Sequence, residues 1–173
     1  MNRDTVSLLA FIALCLAVAA AGGAVTASSV GTWYAGLAKP SFNPPNWVFG
    51  PVWTALYLMM AVAGWRVWRK SRPPRTTPPL RATPWQEGSG NAARLALMMW
   101  AVQLAMNLMW SFLFFGARMI GAALAEIVVL LAAIVVTAWL SWRVDRAAGA
   151  LFAPYIAWVA FATVLNAALW RLN

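Results

Sequence analysis

The sequence contains no histidine, one cysteine and only four acidic residues among 173. Without histidine the chain lacks the commonest metal ligand and the commonest general base. Cys15 stands alone inside an apolar run, which excludes an intramolecular disulfide. Charge of either sign is scarce. Charged residues make up 10% of the chain and hydrophobic residues 63%, where a soluble domain carries roughly a quarter charged residues. No Asp, Glu, Lys or Arg occurs in 5–38, 40–65, 95–117 or 147–170, and 119–142 is interrupted by Glu126 alone. Each stretch reaches the roughly 20 apolar residues that cross about 30 Å of hydrocarbon as a helix. A soluble fold of this size would instead show amphipathic helices with solvated faces.

These runs predict an all-α integral membrane protein, a five-transmembrane-helix bundle forming one domain over 1–173. The predicted spans are 5–27, 47–67, 92–115, 119–142 and 148–170. Span one ends in the small residues Ala20-Ala21-Gly22-Gly23-Ala24. Its uncharged stretch is longer than a signal-peptide core, so it reads as a retained helix. Residues 28–46 are turn-rich, with Lys39-Pro40 and Asn43-Pro44-Pro45-Asn46. Adjacent prolines cannot continue a helix, because neither donates a backbone hydrogen bond. A connector that long between spans reads as a functional loop, a lid over a pocket. Residues 69–90, with Pro73-Pro74, Pro78-Pro79 and several arginines, read as a flexible basic linker.

The net charge of +9 is concentrated rather than spread. With five spans and the basic linker inside, ten of the 13 basic residues fall on the cytoplasmic side and Lys39, Arg118 and Arg171 on the other. The positive-inside rule therefore places the amino terminus and the linker in the cytoplasm and the 28–46 loop outside. Membrane lipid is the partner this pattern fits, with anionic head groups near the linker. Nucleic acid is not, because no basic-aromatic interleaving or binding motif accompanies the charge.

Tryptophan occurs 12 times. An interfacial belt accounts for Trp47, Trp65, Trp68, Trp139, Trp142 and Trp170 near span ends. It does not account for Trp53, Trp110 and Trp158 within spans. Helical spacing places Phe49, Trp53 and Tyr57 on one face of span two. It also aligns Trp100, Gln103, Asn107, Trp110 and Phe114 on span three, and Trp158, Ala162 and Asn166 on span five. Two readings stand side by side. The polar members are interhelical hydrogen-bond glue, or the three stripes converge on an apolar pocket with aromatic walls and a few polar groups. Glu126 is the one acid within a span, and such groups face the bundle interior. It is either a ligand or proton contact, or a buried acid paired with Arg118 or an interhelical amide. Ala101 and Ala105, four apart, would let two copies of span three approach closely in a homodimer.

The motifs Trp33-Tyr34, Lys39-Pro40-Ser41-Phe42-Asn43-Pro44-Pro45 and Trp47-Val48-Phe49-Gly50-Pro51-Val52-Trp53-Thr54-Ala55-Leu56-Tyr57 resemble the TspO/MBR family. That group is also called the translocator proteins, tryptophan-rich sensory proteins and peripheral-type benzodiazepine receptors. Asn107-Leu108-Met109-Trp110-Ser111, Pro154-Tyr155-Ile156-Ala157-Trp158 and Ala162-Thr163-Val164-Leu165-Asn166 follow in family order. The resemblance covers nearly the whole chain and points to a bacterial member.

The resemblance implies a five-helix bundle, usually dimeric, whose first loop covers a pocket for porphyrins such as protoporphyrin IX and for other hydrophobic ligands. Carried over by motif position, the ligand-binding residues are Tyr34 and Pro45 in the cover, and Trp53, Tyr57, Asn107, Trp110, Trp158 and Ala162 in the pocket. Phe49 and Gln103 join them from the stripe reading, and Glu126 as the one acid within a span. The expected function is a receptor or sensor that needs no cofactor and no metal, with a tetrapyrrole as ligand. A light- and oxygen-dependent porphyrin-degrading enzyme, using Trp53 and Trp158, is the alternative, and a porphyrin or steroid transporter the second. The cholesterol-recognition pattern of the animal proteins has a tyrosine where Ala167 follows Leu165-Asn166 here, which argues against cholesterol transport. The absence of histidine removes the commonest haem ligand, whereas aromatic walls suit a metal-free porphyrin face. The expected preference is therefore for protoporphyrin IX over haem.

Overall fold

The computed structural model describes residues 2–72 and 84–173, and of 84–89 the backbone alone. The helices are α1 (Arg3–Val30), α2 (Asn46–Lys70), α3 (Pro84–Ser111), α4 (Ile120–Val144), α5 (Arg146–Ala150) and α6 (Ala153–Leu172). Five stretches are long and apolar enough to span a membrane, the last being α5 and α6 together. No strand occurs among the described residues. This is the outcome hydrocarbon imposes, since a helix satisfies its backbone hydrogen bonds within one segment.

The helices run further than the apolar runs predict. α1 continues to Val30 because Thr26 and Ser28 return their hydroxyls to the Gly22 and Val25 carbonyls. A serine or threonine bonded to its own helix needs no water. The first loop is thereby shortened to 31–45. α3 opens at Pro84, where a missing N–H costs nothing in a first turn, so the 69–90 linker is helical at both ends. Its central residues, 73–83, lie outside the described residues. Span five is interrupted. Pro154 cannot donate to Ala150, and the chain closes α5 with Leu151 N–H to Ala147 O before α6 begins.

Span three ends in a wider turn, a π-helical segment over Phe112–Gly116. The Ala117 N–H reaches back five residues to the Phe112 carbonyl, and the Ser29 hydroxyl donates to the Phe115 carbonyl at 2.8 Å. Arg118 then takes a left-handed φ of 60° to turn the chain into α4.

One end of the bundle is fastened by charge. Asp145 caps α5 by accepting from the Ala148 N–H at 3.1 Å, and Arg66 on α2 grips both its oxygens, at 3.0 and 3.1 Å. At the same end the Trp65 indole donates to the Asp4 carbonyl, and Arg69 and Arg143 lie over Trp65 and Trp139. Those stackings let cations leave the hydrocarbon while their stems stay in it. Two close approaches set the helix spacing. A Cβ at Gly64 would stand 2.8 Å from the Trp100 indole, whose N–H donates to the Met60 carbonyl. A Cβ at Gly149 would stand 2.7 Å from the Trp142 Cα.

Partial burial pushes the Asp145 carboxyl upward. The Ala148 N–H and the Arg66 guanidinium outweigh that and hold it below the usual carboxylate range. Its contribution to stability is therefore complete above the unfolded-state value and lost as pH falls through the lower folded-state value. Asp145→Asn is expected to cost about 1–3 kcal/mol at neutral pH and to flatten the acid limb of a stability-versus-pH curve. Thermal unfolding in detergent from neutral to acid pH checks this, and an unchanged acid limb would count against the assignment. Gly64→Ala is expected to cost about 1–3 kcal/mol by overpacking in the same assay at neutral pH.

Candidate functional site

A cavity of about 390 Å³ lies in the half of the bundle away from the basic end, among α1, α2, α3 and α6. This volume falls within the roughly 300–1,000 Å³ range of small-molecule sites. Its walls are the rings of Phe49, Trp53 and Tyr57 from α2, Trp110 from α3, Phe114 and Phe115 from the π-helical turn, and Trp158 from α6. The rings brace one another. Trp110 stacks on Phe114 with centroids 5.1 Å apart, Phe49 meets Trp158 edge-on at 5.9 Å, and Trp53 meets Tyr155 edge-on at 6.2 Å. Offset and edge-to-face contacts of this kind each contribute about 0.5–1.5 kcal/mol beyond buried area.

The polar groups of the cavity are few, and two of its amides are engaged with neighbouring side chains. The Tyr57 hydroxyl donates to Asn107 Oδ1, and Asn107 Nδ2 donates to the Tyr155 hydroxyl at 2.8 Å. One amide thus joins α2, α3 and α6. Nearer the loop, the Trp110 indole donates to Asn166 Oδ1 at 3.2 Å, and Asn166 Nδ2 donates to the Ile120 carbonyl at 3.0 Å. Asn107 and Asn166 line the cavity as well. The two readings of the polar stripes are therefore not exclusive, since the same amides join helices and face the space between them.

The span-three stripe divides. Asn107, Trp110 and Phe114 face the cavity. Gln103 lies deeper, fully buried, donating to the Trp100 carbonyl at 3.0 Å. Of the residues singled out from the sequence, Tyr34, Phe49, Trp53, Tyr57, Asn107, Trp110, Trp158 and Ala162 converge on the cavity, whereas Pro45, Gln103 and Glu126 do not line it. Pro45 is exposed and stands immediately before α2. Both Glu126 carboxyl oxygens are buried with no hydrogen-bond partner among the described residues, so neither Arg118 nor an interhelical amide pairs with it.

The wall that sequence reasoning missed is α1. Gly22, Gly23, Thr26, Ala27 and Val30 line the cavity. The one sequence signal for it was the cluster of small residues that also resembles a signal-peptide end. Small side chains leave room beside the aromatic walls instead of filling it.

Tyr34 brings the first loop to the cavity. Its buried ring packs against Phe114 and Phe115, and its hydroxyl donates to Asn43 Oδ1 at 2.8 Å. Phe42 meets Phe161 edge-on at 6.4 Å. Lys39 donates to the Ala35 and Leu37 carbonyls, and Ala38 and Asn173 exchange hydrogen bonds in both directions. The loop is thus packed onto the mouth by aromatic contacts from Trp33, Tyr34 and Phe42 and by a polar clasp to the end of α6.

One buried donor is unpaired. The Trp158 indole N–H has no acceptor among the described residues, a condition that costs about 1–3 kcal/mol in a buried site.

Residues 11–171 match the model of the TspO/MBR family. The Tryptophan-rich protein TspO of Chlorobaculum tepidum is 38% identical over 173 residues, covering 100% of this chain and 99% of the relative. The Tryptophan-rich sensory protein of Cereibacter sphaeroides is 38% identical over 173 residues, 100% of this chain and 95% of its own length. The Translocator protein of Homo sapiens is 38% identical over 141 residues, 82% of this chain and 75% of its own.

If Asn107 couples the two tyrosines, Tyr57→Phe and Asn107→Ala should each lower stability by about 1–2 kcal/mol, the upper range for interhelical bonds in membranes. The double variant should lose clearly less than the sum of the two. Unfolding in mixed micelles provides the cycle, and strict additivity would show that the bond contributes nothing.

Proposed function

The chain belongs to the TspO/MBR family, and from that premise we propose that it is a membrane receptor that binds protoporphyrin IX or a related tetrapyrrole in the bundle cavity. Membership makes it an integral membrane protein of a family of sensors, receptors and translocators. The observation that carries the finer reading is the composition of the cavity. Flat aromatic faces from three helices surround a space whose Asn107 amide is bonded to neighbouring side chains and which presents no acid-base pair among the described residues. Such walls stack on a planar apolar ligand. Binding rather than turnover is the activity these residues support best.

In this reading Trp53 and Trp158 stack on the macrocycle, Trp110 and Phe114 close its edge, and Tyr34 covers the mouth. A haem iron would find no imidazole, since the chain has no histidine. The basic end, with Arg66, Arg69 and Arg143, faces the cytoplasm and the first loop faces away from it. Ala101 and Ala105 face outward on α3, which supports a homodimer through that helix.

Tryptophan quenching on titration with protoporphyrin IX is expected to be saturable. Haem should bind more weakly, and Trp53→Phe should weaken protoporphyrin by about 2- to 10-fold, the equivalent of one aromatic contact. Equal haem affinity would sink the preference, and unsaturable quenching would sink the receptor reading. Illumination of the complex in air should leave the pigment unchanged over many equivalents. Multiple turnover to a defined product would instead establish the photo-oxidative enzyme, and vectorial uptake into proteoliposomes a transporter.

A further inference from the structure

Trp158 separates two spaces. On one side it lines the bundle cavity. On the other, with Val52, Ala55, Leu56, Met59, Pro154 and Ala157, it lines a groove of about 450 Å³ between α2 and α6. Every residue of the groove is apolar, and Ala55, Pro154 and Ala157 are exposed on the side that faces the bilayer. Such a surface suits a hydrocarbon chain and offers nothing to a polar group.

Little fastens the partition between the two spaces. Among the described residues no hydrogen bond joins α2 to α6, and the Trp158 N–H has no acceptor. Ring contacts with Phe49 at 5.9 Å and Phe161 at 5.7 Å hold the indole. The seam is fastened beyond its ends instead, by Arg66 and Asp145 at one and by the Ala38–Asn173 clasp at the other. A buried N–H without a partner in a native fold calls for an explanation, and a ring that changes rotamer when a ligand enters supplies one.

We propose that the groove is the tail subsite of the cavity. A single-chain amphiphile places its polar end in the cavity and passes its hydrocarbon chain beside a rotated Trp158 into the groove. The proposal rests on the cavity being a small-molecule site and extends its ligand class from rigid macrocycles to chain-bearing amphiphiles. An annular lipid would cover the groove from outside without engaging the cavity, and the experiment separates the two.

The test is photolabelling of the full chain in nanodiscs with a fatty acid carrying a diazirine midway along its chain, with adducts mapped by mass spectrometry. Adducts are expected on Val52, Met59 and Ala157. They should fall several-fold in Ala162→Trp, which fills the cavity without touching the groove, and likewise in Ala55→Trp, which fills the groove. Trp158→Ala, which removes the partition, should raise them several-fold. Groove adducts that ignore both Ala162→Trp and Trp158→Ala would mean annular lipid only and would overturn the proposal. Adducts confined to other faces would also overturn it. Circular dichroism and thermal unfolding identify any variant that fails to fold, and either of these two variants alone decides the question. No porphyrin is present, so a failure of protoporphyrin binding and a failure of tail labelling remain distinguishable.

Discussion

Helices in a bilayer gain nothing from hiding apolar surface against each other, because lipid tails are as apolar as leucine. Their register must come from close packing and from side-chain hydrogen bonds that have no water to compete with. In this chain the bond on which the cavity depends is the one centred on Asn107. It accepts a hydrogen bond from Tyr57 on α2 and donates one to Tyr155 on α6. Three helices that would otherwise slide or close are held apart at a fixed separation, and the space above that amide is the cavity. Asn166 repeats the device one level nearer the mouth by joining Trp110 to the start of α4.

The two ends of the bundle are closed by different physics. At the basic end a carboxylate serves as helix cap and ion-pair partner at once, so charge is satisfied at the membrane boundary where it costs least. At the other end closure is aromatic. Trp33 and Tyr34 pack on Phe114, and Tyr34 also on Phe115, two rings presented by a π-helical turn, a feature frequent at functional sites. The extra residue in that turn carries Phe114 and Phe115 toward both the loop and the cavity.

The same economy leaves a weak line. Ring contacts, Phe49 with Trp158 and Trp53 with Tyr155, join α2 to α6 beside the cavity, and one of those rings carries the unpaired indole N–H. Elsewhere in the bundle buried tryptophans are bonded, Trp100 to Met60 and Trp110 to Asn166. The buried Trp158 N–H has no acceptor among the described residues, and Trp158 lines both the cavity and the bilayer-facing groove. Buried polar atoms without a partner among the described residues are few, at Gln103, Glu126 and Trp158, and of these only Trp158 lines the cavity.

How much was legible in advance follows from what hydrocarbon enforces locally. Span number, the proline-rich first loop and the aromatic stripes of α2 and α6 could be read from charge-free runs and helical spacing, because each depends only on neighbours in sequence. The family resemblance rested on contiguous motifs and was legible for the same reason. Three things were not. The α1 wall carries no polar or aromatic mark, and glycine and alanine show their purpose only when a cavity lies beside them. The division of the α3 stripe depends on where α2 crosses it, which puts Gln103 against Met60 and Asn107 against Tyr57. The orphaned state of Glu126 and Trp158 depends on which donors and acceptors other helices bring within reach. The sequence by itself determined that the chain must cross the membrane as helices bearing aromatic faces. Tertiary packing alone decided which faces met, because an interhelical hydrogen bond is fixed by the distance between two segments and not by the residues within either.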